Sequence, residues 1–498
     1  MASKILKKTK YNAIAGYLKF VITSLMVFAL SPLLVHFLGA YSFGVWKTIQ
    51  KILTFASITD GRATQALKWV IANDETNTNE IIKQQAVGSA VKVWFLFLPI
   101  MLLTIVLLVW NLPFFINELE TSMYGSVYTV GLILGANFLI NPLLAIPDAV
   151  LVGTNNGYKS ISIQTIGVIL SNFLMVFVCY LGYGIIGLAS VVILITLVNG
   201  LFVFYICKKN ITWLGIQKPS KEQLKRFFGF SFWVLCWSFI QKLILATEIV
   251  LIGYLMNPTI VTNYIFTAYL MQLAISAAIL AGSSITPALG RIIGANDIEK
   301  AKILVKTARE IILCISLFFA GIILILNKSL VDLWMGSTYF LGEYVNLLIV
   351  LIMVQFVLGR FEGQVQDLSL NIKKKVLAGA GFSVLSIVLG VFCYYTFNES
   401  LEGLLLGVFV GRFLLNISFS AMVNRMLNLK AFFRQYIYVF MFISVVFYIS
   451  QFMIEISNWF SFGLISFAVV GILFLFCFKM FLSKKSQNKI LQLALNKN

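Results

Sequence analysis

Residues 91–110 read VKVWFLFLPIMLLTIVLLVW, with one charge, Lys92, near the start. As a helix, a run of this length rises about 30 Å, the thickness of the hydrocarbon core of a bilayer. Similar blocks recur along the chain. They predict helical spans at 13–38, 43–71, 85–110, 126–152, 161–181, 185–206, 228–255, 262–290, 303–327, 343–366, 376–397, 402–424, 435–455 and 461–482. The chain is 60% hydrophobic and 11% charged, and its mean hydropathy is +0.94. Soluble domains carry roughly 25% charged residues, so water cannot be the solvent for most of this surface. The reading is an all-α polytopic membrane protein of about 14 transmembrane helices.

A net charge of +19 raises the question of nucleic acid, but the lysines and arginines sit mainly at the ends of apolar blocks, where they orient helices in a bilayer. One set of alternate loops holds Lys4, Lys7, Lys8 and Lys10; Lys83; Lys159; Lys208, Lys209, Lys218, Lys221, Lys225 and Arg226; Arg291, Lys300 and Lys302; Lys373, Lys374 and Lys375; Arg425, Lys430 and Arg434; and Lys484, Lys485 and Lys489. The other set is short and holds Lys328, together with acids such as Glu118, Glu120, Asp332 and Glu399. The positive-inside rule then puts both termini in the cytoplasm, which requires an even number of spans. The basic start followed by Ile14–Leu38 has the outline of a signal peptide, but the apolar run is too long and no small-residue cleavage site follows, so it reads as an uncleaved first helix.

The longest connection, 208–227, is basic and is expected to be a cytoplasmic linker. It divides the chain into an N-lobe at 1–207 with six helices, a C-lobe at 228–424 with six more, and a segment at 425–498 holding the last two helices and a cytoplasmic tail. A short internal echo supports two halves. Thr64-Gln65-Ala66-Leu67, followed by Ile71 to Asp74, resembles Thr286-Pro287-Ala288-Leu289, followed by Ile293 to Asp297, with a one-residue slip. Paired repeats with substrate between them are a transporter design.

Several motifs carry no chemistry. Gly182-Tyr183-Gly184-Ile185-Ile186-Gly187 fits a dinucleotide fingerprint, yet it joins two apolar helices and reads as a tight hairpin. There is no phosphate-binding G-x-x-x-x-G-K-[ST] loop, and the single histidine, His36, excludes histidine-cluster metal sites, so no cofactor and no metal are expected. Cys179, Cys207, Cys236, Cys314, Cys393 and Cys477 lie in or beside apolar blocks and read as small hydrophobic fillers. Glu118 and Glu120 resemble the acidic pair of a membrane glycosyltransferase, but a large outer loop to hold such a reaction is missing.

Charges within the spans are more informative, because a central one costs about 2.5 kcal/mol or more in lipid and so faces protein or water. Lys19 lies mid-span in the first helix. Lys47, Lys51 and Arg62 lie in the second, and on one continuous helix they fall within about 60° of one another, a single basic stripe. Lys242, Arg360 and Arg412 add cations on other helices; Lys92 and Lys68 read as snorkelling to an interface. The acids Asp60, Asp148, Glu248 and Glu362 are available as partners. Arg360 and Glu362 are two apart, cannot face one neighbour, and each needs its own partner. Buried cations that outnumber buried acids imply an anionic passenger, phosphate above all.

Leu38-Gly39-Ala40-Tyr41-Ser42-Phe43-Gly44-Val45-Trp46, then Thr59-Asp60-Gly61 and Ala66-Leu67, resembles the first-to-second helix signature of polysaccharide-export flippases. So do Thr247-Glu248-Ile249-Val250-Leu251-Ile252-Gly253-Tyr254, Pro287-Ala288-Leu289 and Asp297-Ile298-Glu299-Lys300. These are the O-antigen-type branch of the multidrug/oligosaccharidyl-lipid/polysaccharide exporter superfamily. Gly61-Arg62 stands where Leu-Gly is usual, and Glu248 where Asp is commoner. The resemblance implies two six-helix lobes plus two C-terminal helices around a central cavity, and no enzyme activity. It implies a cargo of undecaprenyl-pyrophosphate-linked oligosaccharide, an O-antigen (lipopolysaccharide) or other surface-glycan repeat unit, moved from the inner to the outer leaflet of the bacterial cytoplasmic (inner) membrane. Partners on that reading are membrane lipid, a glycan polymerase and a chain-length regulator, with no nucleic acid. Lys19, Lys47, Lys51, Arg62 and Lys242, with Arg360 and Arg412, are the expected cavity cations for the pyrophosphate. Gln50, Asn172 and Gln241 are expected to meet sugar hydroxyls, and Asp60 and Glu248 are the candidates for coupling to an ion. Open alternatives are a peptidoglycan-precursor flippase, a cation-coupled drug antiporter, which would want buried acids in excess, and a membrane glycosyltransferase or glycan polymerase.

Overall fold

The computed structural model describes residues 2–74, 79–228, 232–295, 297–368, 372–429, 433–453, 456–484 and 486–488. Asn296, Lys430, Lys485 and Lys489 lie outside the described residues, as do the side chains of Lys4, Lys7, Arg226, Pro287, Ala288 and Arg434. Among the described residues there is helix and no strand. The helices are α1 (Ala2–Leu38), α2 (Ala40–Leu53), α3 (Ala63–Asn73), α4 (Glu80–Trp110), α5 (Tyr124–Leu144), α6 (Ile146–Gly153), α7 (Gly157–Tyr180), α8 (Gly184–Asn210) and α9 (Lys221–Phe228). They continue with α10 (Phe232–Leu255), α11 (Pro258–Thr267), α12 (Tyr269–Gly294), α13 (Ile298–Trp334), α14 (Glu343–Asp367), α15 (Lys373–Thr396), α16 (Leu401–Met426), α17 (Phe433–Ser450) and α18 (Trp459–Phe481).

Each expected span meets helix. Eleven described helices are long and apolar enough to cross a membrane, twelve if the bent pair Pro258–Thr267 and Tyr269–Ile279 is one span. The remainder are short or broken, so the count of fourteen is approximate. The second span, 43–71, needs correction. It is α2, a 3-10 turn at Thr54–Ile58, a turn through Gly61 and Arg62 with positive φ of 64° and 53°, and then α3. The basic stripe drawn through Lys47, Lys51 and Arg62 therefore does not exist as one helical face. Lys47 and Lys51 still share a face, one turn apart.

The chain folds as two compact units, 1–262 and 263–498, so α10 groups with the helices before it. In the first unit α1 packs on α7, α5 and α7 on α8, α3 on α4 and α6, and α2 on α10. Lipid offers no hydrophobic drive for such pairs, and close approach through small residues supplies the dispersion energy instead. Gly44 of α2 is the extreme case: a Cβ there would sit 1.8 Å from the Pro258 carbonyl oxygen, and Thr262 Oγ1 donates to the Ala40 carbonyl at 2.6 Å beside it. The hairpin at Gly182 is as read, with φ of 82° at Gly182 and 56° at Gly184 between α7 and α8. The cysteines are all free thiols.

The basic connection 208–227 is docked, not loose. Gln217 N donates to the Gln84 carbonyl at 3.3 Å, and Gln84 Nε2 to the Trp213 carbonyl at 3.0 Å. The Lys83 ammonium lies 5.7 Å from the centre of the Trp213 ring, and Phe227 is buried among Leu67, Val87 and Val150.

In the second unit α13 packs against α12, α14, α17 and α18. The pair α15–α16 is joined along Gly403, Gly407 and Gly411; a Cβ at Gly407 would lie 2.1 Å from the Leu389 carbonyl oxygen. The bend of 53° between α11 and α12 frees backbone groups at Thr267. Asn327 Nδ2 donates to the Thr267 carbonyl at 2.7 Å and to Asn346 Oδ1 at 2.9 Å, which satisfies the break from within the protein.

Candidate functional site

The break between α2 and α3 is a built polar turn. Ser57 Oγ donates to the Thr54 carbonyl and Thr59 Oγ1 to the Ala56 carbonyl, both at 2.7 Å, so side chains take carbonyls that a regular helix would have used. Lys242 of α10 reaches this turn: its ammonium donates to the Thr54 carbonyl at 3.2 Å and to the Ser57 hydroxyl. Asp60 Oδ1 accepts from the Arg62 amide at 2.9 Å, and its carboxylate acts electrostatically on both Arg62 and Lys242. One turn back along α2, Lys51 lies within the field of Glu248 on α10, and Glu248 is 6% exposed. Lys47 acts on Lys51 and sits 5.1 Å from the centre of the Phe43 ring. Lys47, Lys51, Arg62 and Lys242 are thus gathered with Asp60 and Glu248 along the α2–α10 contact. Among the described residues, four cations face two acids there. Gln50 and Gln241, on the same two helices, are half-buried.

The other candidates are placed elsewhere. Lys19 of α1 donates to Gln164 Oε1 of α7 at 2.7 Å, Gln164 Nε2 donates to Asp148 Oδ1 of α6 at 3.3 Å, and Lys68 Nζ of α3 lies 3.3 Å from Asp148 Oδ2. Lys68 is therefore an ion-pair partner and does not simply snorkel; Lys92 is exposed. Asn172 donates its amide to the Val168 carbonyl of its own helix, at 2.8 Å. In the second unit Arg412 is 5% exposed, packed inside the helices. Arg360 is half-buried, feels Asp367, and lines a small void with Gly282 and Gln364.

Sequence reasoning passes over two buried cations. Arg309 lies within the expected span 303–327 and grips Glu362 with both edges of its guanidinium, Nε to Oε1 at 2.7 Å and Nη2 to Oε2 at 2.8 Å, while Nη1 donates to Asn424 Oδ1 at 2.8 Å. Glu362 thus has its own partner, separate from Arg360. Lys375, read as a loop cation, is 1% exposed and donates to the Gly363 carbonyl at 2.9 Å and to Asp367 Oδ1 at 2.6 Å. A signal for it exists: the small residues Gly379, Ser383, Ser386 and Gly390 mark the buried stripe of α15, and that stripe extended backwards runs through Lys375. Among the described residues no cluster of His, Cys, Asp and Glu could hold a metal ion.

The family model described as polysaccharide biosynthesis protein matches residues 33–346. No curated protein matches the chain. Among solved structures, it is similar to a multidrug resistance MATE family transporter of the MOP superfamily in an inward-facing conformation, with a TM-score of 0.68 and 15% identity over 82% of this chain and 94% of that one. It is similar to the lipid II flippase MurJ in an inward closed conformation, with a TM-score of 0.65 and 14% identity over 97% and 99% of the two chains. A MOP superfamily transporter from Pyrococcus furiosus, described as having a binding pocket of reverse polarity, matches with a TM-score of 0.54 and 16% identity over 85% and 95%. Identities this low speak for the fold alone; the family match covers more than half of the sequence. The chain therefore belongs to the polysaccharide biosynthesis protein family and is a multi-pass helical membrane protein with the fold of those transporters.

Proposed function

We propose that the protein is a flippase that carries an undecaprenyl-pyrophosphate-linked oligosaccharide, such as an O-antigen repeat unit, from the inner to the outer leaflet of the bacterial cytoplasmic membrane, with both termini cytoplasmic. The observation that carries this reading is the gathering of Lys47, Lys51, Arg62 and Lys242 on α2, its break and α10, opposed among the described residues by Asp60 and Glu248. Surplus positive charge among membrane helices favours a phosphate head, which takes charge-assisted hydrogen bonds from ammonium and guanidinium groups. Gln50 and Gln241 stand on the same helices to meet sugar hydroxyls, each of which would cost a few kcal/mol unpaired in hydrocarbon. The polyprenyl tail stays in lipid. Moving about two negative charges outward gains roughly 4–5 kcal/mol at 100 mV, inside negative, so the membrane potential drives the step. Asp60 and Glu248 are the groups through which a proton or sodium ion would couple. A glycan polymerase and a chain-length regulator are the partners that would consume the product.

A peptidoglycan-precursor flippase is the second reading, favoured by the likeness to MurJ over 97% of this chain. Its cargo has the same head-group chemistry, and the family match to polysaccharide biosynthesis weighs toward a surface glycan. The test is K51A/R62A in the native host. Surface glycan should fall about five- to thirtyfold, the effect of losing one to two kcal/mol of head-group binding, while the protein persists in the membrane at its normal level. Normal surface glycan with K51A/R62A as the sole copy would reject the assignment. Failed growth that a separate peptidoglycan-precursor flippase restores would favour the second reading.

A further inference from the structure

The structure holds two kinds of buried or half-buried cation. Arg309 and Lys375 are saturated: one is forked onto a carboxylate and an amide, the other is held by a carbonyl and a carboxylate, and their side chains are 3% and 1% exposed. Such groups are glue. Lys19 and Lys68 are different. An ammonium has three donors, and among the described residues Lys19 meets Gln164 and Lys68 meets Asp148. Asp148 is the acid shared by the group, and its field also reaches Lys19. Four helices, α1, α3, α6 and α7, converge to bring two lysines and one carboxylate together through Gln164. The group is not sealed: the Lys68 and Asp148 side chains are 30% and 17% exposed, and Lys19 and Gln164 are half-buried. It is thus a partly open arrangement with one surplus positive charge and N–H donors to spare.

We infer that Lys19 and Lys68 form a second anion subsite, distinct from the α2–α10 group, that takes the phosphate ester of a lipid head, with Asp148 and Gln164 holding the two ammonium groups apart and in position. This rests on the reading of the cargo as a phosphate-headed lipid. The carboxylate of Asp148 opposes the incoming anion, but Lys68 and Lys19 outweigh it, and a phosphate brings the charge that balances them. The cargo head and a resident membrane phospholipid offer the same chemistry, and the experiment separates them.

Purified full-length protein in detergent is titrated with inorganic pyrophosphate by calorimetry. The native protein should bind a second equivalent beyond that of the α2–α10 group. K19Q/K68Q should lose one equivalent, or weaken it at least about tenfold, and keep the other. K51A/R62A should do the reverse. K19R/K68R, which keeps both charges, should retain the second equivalent and guards against loss through misfolding, together with an unchanged gel-filtration profile. Competition with short-chain phosphatidylglycerol assigns the source: displacement of pyrophosphate only by excess phospholipid marks a cargo subsite, and preferential binding of the phospholipid marks a resident lipid. A native protein that binds one equivalent, lost in K51A/R62A and untouched in K19Q/K68Q, would overturn the inference and leave the main site standing. One equivalent that survives K51A/R62A and disappears in K19Q/K68Q would do the opposite.

Discussion

Arg309 and Glu362 offer the sharpest test of how the second unit holds together. Their side chains are 3% and 7% exposed, and two charge-assisted bonds of 2.7 and 2.8 Å join them. Changing Arg309 to Met removes both bonds and leaves the Glu362 carboxylate buried without this partner. Breaking a buried pair in this way costs about 3–5 kcal/mol. Glu362→Met strands the guanidinium and should cost about as much. The double change Arg309→Met with Glu362→Met removes both charges at once and leaves Asn424 Oδ1 without this donor, a loss of about 1–3 kcal/mol. Arg309→Lys keeps the charge, forfeits the fork and should fall between native and Met. The assay is reversible unfolding in mixed micelles, followed by tryptophan fluorescence at increasing SDS. The expected result is strong non-additivity, with the double variant far more stable than the sum of the singles implies. If the double variant is destabilised by that full sum, the pair is not a coupled buried unit and the reasoning fails.

Gly407→Leu should destabilise the α15–α16 contact by more than about 1–3 kcal/mol, because its Cβ would meet backbone at 2.1 Å and backbone cannot swing away. Gly471→Leu on α18, with nothing within 4 Å of the added atom, is the control and should leave the thermal midpoint in detergent unchanged. Tyr41→Phe removes a hydroxyl that donates to the Glu118 carbonyl and accepts from the Glu120 amide, both at 2.9 Å. Cleavage by a glutamyl endopeptidase at Glu118 or Glu120 should become several-fold faster, consistent with about 1 kcal/mol lost per hydrogen bond; an unchanged rate would show that the hydroxyl does not hold the loop.

The helices were legible because each is written in a continuous local pattern. The run 91–110 needs no neighbour to be read as a span, and α4 covers it to the last residue at Trp110. The break at 54–62 was also written locally, in Thr54, Ser57, Thr59 and Gly61, but apolar residues on both sides outweigh that signal in a hydropathy average. The consequence was an error of geometry, since a stripe drawn at 100° per residue passes through a turn where the chain leaves the helix. The bend at Ala268 left no such mark: its freed carbonyl is met by Asn327, far away in sequence.

Composition and periodicity alone established that the chain lives in lipid, where its helices lie, and that cations inside them outnumber acids. Those are sums over neighbouring residues, so no fold is needed to evaluate them. Which cation is saturated by partners and which keeps donors open was decided by tertiary structure. Lys19 and Gln164 are 145 residues apart, and Arg309 and Glu362 are 53 apart. A partner at such a distance is chosen by how each helix is rotated and packed, and the energy of a charge in a low-dielectric interior is set by that one neighbour.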